Sequence, residues 1–223
     1  MTFSLIARCA RTGQFGMVIS SSSPAVAARC AHVRAGVGVV ASQNITDPDL
    51  GTALLDLMAQ GISAADALAA IKKGRAHIDY RQLLVVDAAG GRAIHSGGQV
   101  LGNWGEALGV DCAAGGNLLA NTGVPKAMIA GFETATGHLG DRLIAALRAG
   151  LAAGGEAGPV HSAGLKIADK LNWPLVDLRI DWADDPIGAL TTAWQVYRPQ
   201  MAAYVQRATD PTIAPSYGVP GDE

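Results

Sequence analysis

A threonine directly behind a methionine is the residue of this chain whose chemistry needs the least help from elsewhere. Methionine removal is favoured when the next residue is small. Thr2 would then carry a free α-amino group, whose ordinary pKa of about 7.7–8.0 makes it a usable base at neutral pH. One residue would hold both a hydroxyl nucleophile and its base. Many ordinary chains begin Met-Thr, so position is what singles this one out. Thr2 opens the strand-like run TFSLIAR (Thr2 to Arg8), and a sheet would hold hydroxyl and amine in fixed geometry.

Other chemistry-bearing residues are uncharged amides. Gln43 and Asn44 end the apolar run AGVGVVAS, where they either form a turn or hydrogen-bond a substrate amide. Asn117 sits in GGNLLAN, where glycines let a ligand approach the backbone. His161 stands between the glycine cluster AAGGEAG and a strand starting at Ser162; His32, His77, His95 and His138 are scattered without metal-binding spacing. GVGVVA mimics a dinucleotide loop, but its glycines lie inside the strand itself, so they read as close sheet packing. No G-x-S-x-G occurs, and Cys9, Cys30 and Cys112 lack metal or disulfide spacing, so they read as buried thiols.

The elements that must position these residues follow from periodicity. Thr2 to Arg8 and Phe15 to Ser20 form a hairpin around RTGQ, and Ala35 to Ser42 reads as a strand buried on both faces. Two helices follow, the first within Asp47 to Gly61 and the second capped by Ser63 and closed by Gly74. Arg81 to Gly97 is a second hairpin, and Ala107 to Ala113 one further strand. Helices over Pro125 to Thr134 and Leu139 to Leu151 precede two last strands in SAGLKIAD and LVDLRID. Asp184 to Arg207 reads as a C-terminal helix interrupted at Pro199. Strands and helices come in blocks rather than strict alternation, which points to an α+β architecture of antiparallel sheets covered by helix pairs.

Bulk composition agrees with a compact domain: 223 residues, 49% hydrophobic, 16% charged, with a formal net charge of -2. There is no basic stripe for a phosphate backbone, which argues against nucleic acid as a partner. No signal-like start and no apolar run near the roughly 20 residues that span a bilayer is present, so no membrane partner and a cytoplasmic location are expected. Nothing in the spacing of acids and histidines asks for a metal or other cofactor.

Taken together, TFSLIAR, TGQFGMVISSS, RAGVGVVASQN, RQLLVVDAAG, GNLLAN, RLIAALRAGLAAGGE and HSAGLKI resemble, in order, the domain-of-unknown-function family numbered 1028. The resemblance runs from Thr2 to about Asp185. It implies membership of the N-terminal nucleophile hydrolase superfamily, with a four-layer αββα sandwich of two antiparallel sheets over residues 1–183 and an appended C-terminal helix and irregular tail over 184–223. It also implies hydrolysis of a small C–N substrate (an amide, ureido compound or lactam) with Thr2 as nucleophile. Asn117, Gln43 and Asn44 are then candidates for holding the oxyanion, and Arg81 and Gln82 for orienting a substrate carboxylate or amide. Where the family follows its glycine pair with an acidic residue, arginines and a glutamine, this chain has Glu156, Ala157, Gly158, Pro159, Val160 and His161. His161 thus takes the glutamine's place beside Glu156, and substrate choice is expected to differ. The alternative is a non-catalytic binding or assembly protein that keeps the sandwich, favoured if Met1 stays and blocks the amine. A homo-oligomer is expected under either reading, through a helix whose Trp194, Tyr197 and Tyr204 either anchor a symmetric contact or pack on their own domain.

Overall fold

The structure is a computed structural model that describes residues 1–222. The chain opens with the expected hairpin, β1 (Thr2–Arg8) and β2 (Phe15–Ser21). A short helix α1 (Val26–Cys30) leads into β3 (Ala31–Arg34) and β4 (Gly38–Asn44), and helices α2 (Asp49–Ala59) and α3 (Ala64–Gly74) follow. The second hairpin is β5 (Arg81–Asp87) and β6 (Arg92–Ser96), then come β7 (Gly105–Gly109), β8 (Cys112–Asn117), α4 (Val124–Thr134) and α5 (Leu139–Ala152). Strands β9 (Ser162–Ala168) and β10 (Val176–Ile180) and helices α6 (Pro186–Tyr197) and α7 (Met201–Thr209) complete the order.

All strand pairs are antiparallel, in a six-stranded sheet β10-β9-β2-β1-β8-β7 and a four-stranded sheet β3-β4-β5-β6. Period-two alternation assigns each strand's two faces. Along β1, Phe3, Leu5 and Ala7 pack against α4 and α5, while Ile6 packs between the sheets with Met17, Ile19, Val39, Ala41, Leu84 and Val86. On the far side of the smaller sheet, Val40, Leu83 and Val85 meet Leu50, Leu54 and Leu68 of α2 and α3. The layers are therefore helix, sheet, sheet, helix: the four-layer αββα sandwich. Gly38 shows how closely the sheet strands approach, since a Cβ there would lie 2.5 Å from the Val86 carbonyl oxygen.

Two expectations need correction. Ala107 to Ala113 is not one strand but parts of β7 and β8, which turn through Val110 and Asp111, the latter at φ +55°. Ala35 to Val37 form a turn rather than part of the buried strand, which runs to Asn44. The C-terminal helix is interrupted at Pro199 as expected, giving α6 and α7, because that residue cannot supply an N–H to the ladder. Helix α6 sinks Ile187, Leu190 and Trp194 into the core shared with α5, β9 and β10, whereas α7 has no buried residue. Among the described residues no helix is long and apolar enough to cross a membrane.

Candidate active site

Five strands turn from apolar to polar at the same end of the layer between the sheets. The alternation reads Ile6, Ser4, Thr2 on β1; Met17, Ile19, Ser21 on β2; Ala41, Gln43 on β4; Leu84, Gln82 on β5; and Ala113, Gly115, Asn117 on β8. Register makes this one place, because Thr2 pairs with Asn117 across β1 and β8, and Gln43 pairs with Gln82 across β4 and β5. Gly115 lets the sheets meet here: a Cβ on it would come within 3.1 Å of Leu84 and 3.6 Å of the Gln82 amide carbon.

The amides form a buried relay. Ser4 Oγ donates to Gln43 Oε1 at 2.7 Å, Gln43 Nε2 donates to Gln82 Oε1 at 2.8 Å, and Asn117 Nδ2 donates to the same oxygen at 3.3 Å. Gln82 Nε2 faces Ser96 Oγ at 3.0 Å and the carbonyls of Gly116 and Gly105 at 3.3 and 3.4 Å. Two carbonyls on that nitrogen fix which way the Gln82 amide points, so Gln43 and Asn117 must both present their N–H groups to its oxygen. The consequence falls on Asn117: its side chain is fully buried and its Oδ1 has no partner. A buried acceptor without a donor costs about 1–3 kcal/mol, which marks this atom as one awaiting a donor.

Thr2 lies beside it, 4% exposed. Its hydroxyl and that of Ser21 both donate to the carbonyl oxygen of Met1. Glu156 approaches from the loop after α5, joined to Leu119 by an isolated bridge. It is 4% exposed, and both carboxylate oxygens accept from the Ser22 N–H, at 3.0 and 3.2 Å. Burial pushes its carboxyl above the ordinary value; the Ser22 bonds and the N-terminal ammonium pull the other way.

Not every candidate joins this cluster. Asn44 and Arg81 pair across β4 and β5 one position from the glutamines, where alternation turns them off the inter-sheet face. Asn44 holds the turn at φ +73°, donating to the Tyr80 carbonyl at 2.6 Å and accepting from Leu101 N–H at 3.3 Å; Arg81 Nη1 donates to the Ile45 carbonyl. The His161 backbone N–H reaches the Ser21 carbonyl at 2.8 Å, while its ring contacts the Ala183 carbonyl and stacks on Trp182 at 4.4 Å. Sequence reasoning passed over Ser4 and Ser21. The signal for both was available: Ser4 shares Thr2's parity, and a hairpin matching Phe3 to Ser20 brings Ser21 opposite Thr2. No group of three or more His, Cys, Asp or Glu side chains suited to a metal ion occurs among the described residues.

Protein SPO2555 from Silicibacter pomeroyi, a solved structure assigned to DUF1028, superposes with a TM-score of 0.86 at 28% identity, covering 92% of this chain and 90% of that one. Anbu, the ancestral β-subunit, from Yersinia bercovieri is matched at TM-score 0.41 and 10% identity over 91% of this chain and 97% of its own. The Anbu Gly-1 mutant from Hyphomicrobium sp. strain MC1 is matched at TM-score 0.41 and 12% identity, over 92% and 100%. No curated protein matches the chain. The family model for DUF1028, a family of unknown function, matches residues 2–190, and the chain belongs to that family.

Proposed function

We propose that this protein is an amidohydrolase in which cleavage of the bond between residues 1 and 2 frees Thr2 to act on a small amide, ureido or lactam substrate. The observation that carries the reading is the convergence of the Thr2 and Ser21 hydroxyls on one carbonyl oxygen, beside the unpartnered Asn117 Oδ1. The Ser21 hydroxyl is then a donor to the charge that develops on that oxygen, and the Thr2 hydroxyl next to the same carbonyl is the nucleophile. Once the bond is cut, the Thr2 amine takes the hydroxyl proton, and Asn117 Oδ1 accepts from that amine and orients it. The hydroxyl oxygen adds to the substrate carbonyl carbon, and Ser21 donates to the oxyanion. The proton passes to the leaving nitrogen, the C–N bond breaks, and water then hydrolyses the acyl ester on Thr2 to give a carboxylate. Gln82 holds Asn117, and Gln43 holds Gln82, rather than touching substrate.

With the 1–2 bond intact the Thr2 nitrogen is an amide and no base, its hydroxyl donates to the Met1 carbonyl, and the chain is then a binding or assembly sandwich without chemistry. The test is turnover of an amide panel by wild type and Thr2→Ala, with intact mass recorded for each sample. Activity in wild type lacking Met1 and its loss in Thr2→Ala support the hydrolase; equal activity in both, or none in wild type lacking Met1, overturns it.

A further inference from the structure

We infer that the acyl side of this site selects substrates with a free, protonated amine next to the scissile carbonyl, that is, unblocked α-aminoacyl amides, with Glu156 as counter-ion to the ammonium. The inference rests on the hydrolase reading and names the substrate class it leaves open. Met1 is itself an acyl group on the Thr2 nitrogen, and its carbonyl oxygen receives the Thr2 and Ser21 hydroxyls. An acyl group carried on Thr2 Oγ1 must occupy the same corner. One residue past Ser21, the Ser22 N–H fixes the Glu156 carboxylate at 3.0 and 3.2 Å, so the corner has a donor for a carbonyl and an anion beyond it.

That anion lacks a mate. Glu156 is 4% exposed, and among the described residues no Lys, Arg or His side chain forms an ion pair with it. Its hydrogen bonds come from Ser21 and Ser22, neutral donors that bring no compensating charge, so the carboxylate favours an arriving cation. The Met1 ammonium already acts on it in this sense, drawing its proton affinity down against the effect of burial. An acylated, neutral amine forgoes the charge pair, and an anionic acyl group is repelled. The Met1 residue is 38% exposed, so the corner is open to solvent and tolerates a long side chain.

The test compares L-methionine p-nitroanilide with its N-acetyl form on chain verified to lack Met1. A charge-assisted contact predicts a preference for the free amine of about 10- to 100-fold in kcat/KM, collapsing toward unity in Glu156→Gln and kept in Glu156→Asp. No preference in wild type, or one that survives in Glu156→Gln, overturns the inference while leaving the hydrolase standing. Should wild type hydrolyse neither compound, the amide panel decides the hydrolase reading, and calorimetric binding of L-methioninamide decides the inference: binding lost in Glu156→Gln supports it, and no binding to wild type overturns it. Thermal melts of both variants confirm that they fold.

Discussion

Replacing Gln82 by Met tests whether the amide relay is the rigid, dry platform that orients Asn117. The substitution keeps length and apolar volume but deletes the oxygen that accepts from Gln43 Nε2 at 2.8 Å and Asn117 Nδ2 at 3.3 Å. Both donors belong to side chains with no solvent exposure, so neither can turn to water. Each buried donor left without a partner costs about 1–3 kcal/mol, so the two together predict a loss of about 2–6 kcal/mol. That is a large part of the roughly 5–15 kcal/mol by which a domain is held folded. Ser96→Ala is the internal control: Gln82 Nε2 keeps the carbonyls of Gly105 and Gly116, so its loss stays within about 1 kcal/mol. Urea unfolding at fixed pH measures both. A Gln82→Met loss no larger than that of Ser96→Ala would mean that the donors find other partners, and the argument that fixes the Asn117 amide would fall with it.

Two further outcomes follow from the packing and charge of the chain. Burial holds the folded Glu156 carboxyl above its ordinary 4.5, so the folded chain keeps a proton that the unfolded chain releases, and stability falls as pH rises through the window above 4.5. Glu156→Gln removes that slope, so urea melts should show its stability relative to wild type rising between about pH 4 and pH 7; a difference flat with pH contradicts the assignment. Gly140→Ala places a Cβ 2.4 Å from the Trp194 ring, whose Nε1 is tied to Asp141 at 2.9 Å, and so loosens α6 from α5. Overpacking of this kind costs about 1–3 kcal/mol, visible in denaturation and in Trp fluorescence, and an unchanged melt would mean that α6 does not dock there.

Much of the sandwich is legible in the sequence because its elements carry local signals. The RTGQ turn announces β1 and β2, and Ser63, which accepts from Asp66 N–H at 3.2 Å, caps α3 as its residue type suggests. Helix α1 has no such signal: its N-cap is Ala25, in a left-handed conformation without a side-chain cap. The β7–β8 turn hides for a related reason, since Asp111 rather than glycine takes the positive φ. For the polar cluster between the sheets, residue type singled out Thr2, Gln43, Gln82 and Asn117, but parity sorts the polar pairs. Gln43 and Gln82 face the second sheet, while Asn44 and Arg81, one step along the same two strands, hold loops. Ser4 and Ser21 are commonplace residues singly and become informative only once the strands are paired. The partnerless state of Asn117 Oδ1 is a property of three-dimensional pairing that no sequence pattern carries.

The most direct test of the central claim is to trap the acyl-enzyme. Protein expressed without an N-terminal tag is incubated with a reactive acyl ester, quenched in acid and mapped by mass spectrometry. The account predicts chains that lack Met1 and carry one acyl group, located on Thr2 and absent from Thr2→Ala. Met1 retained on every molecule, or an adduct mapped to another residue, would contradict it.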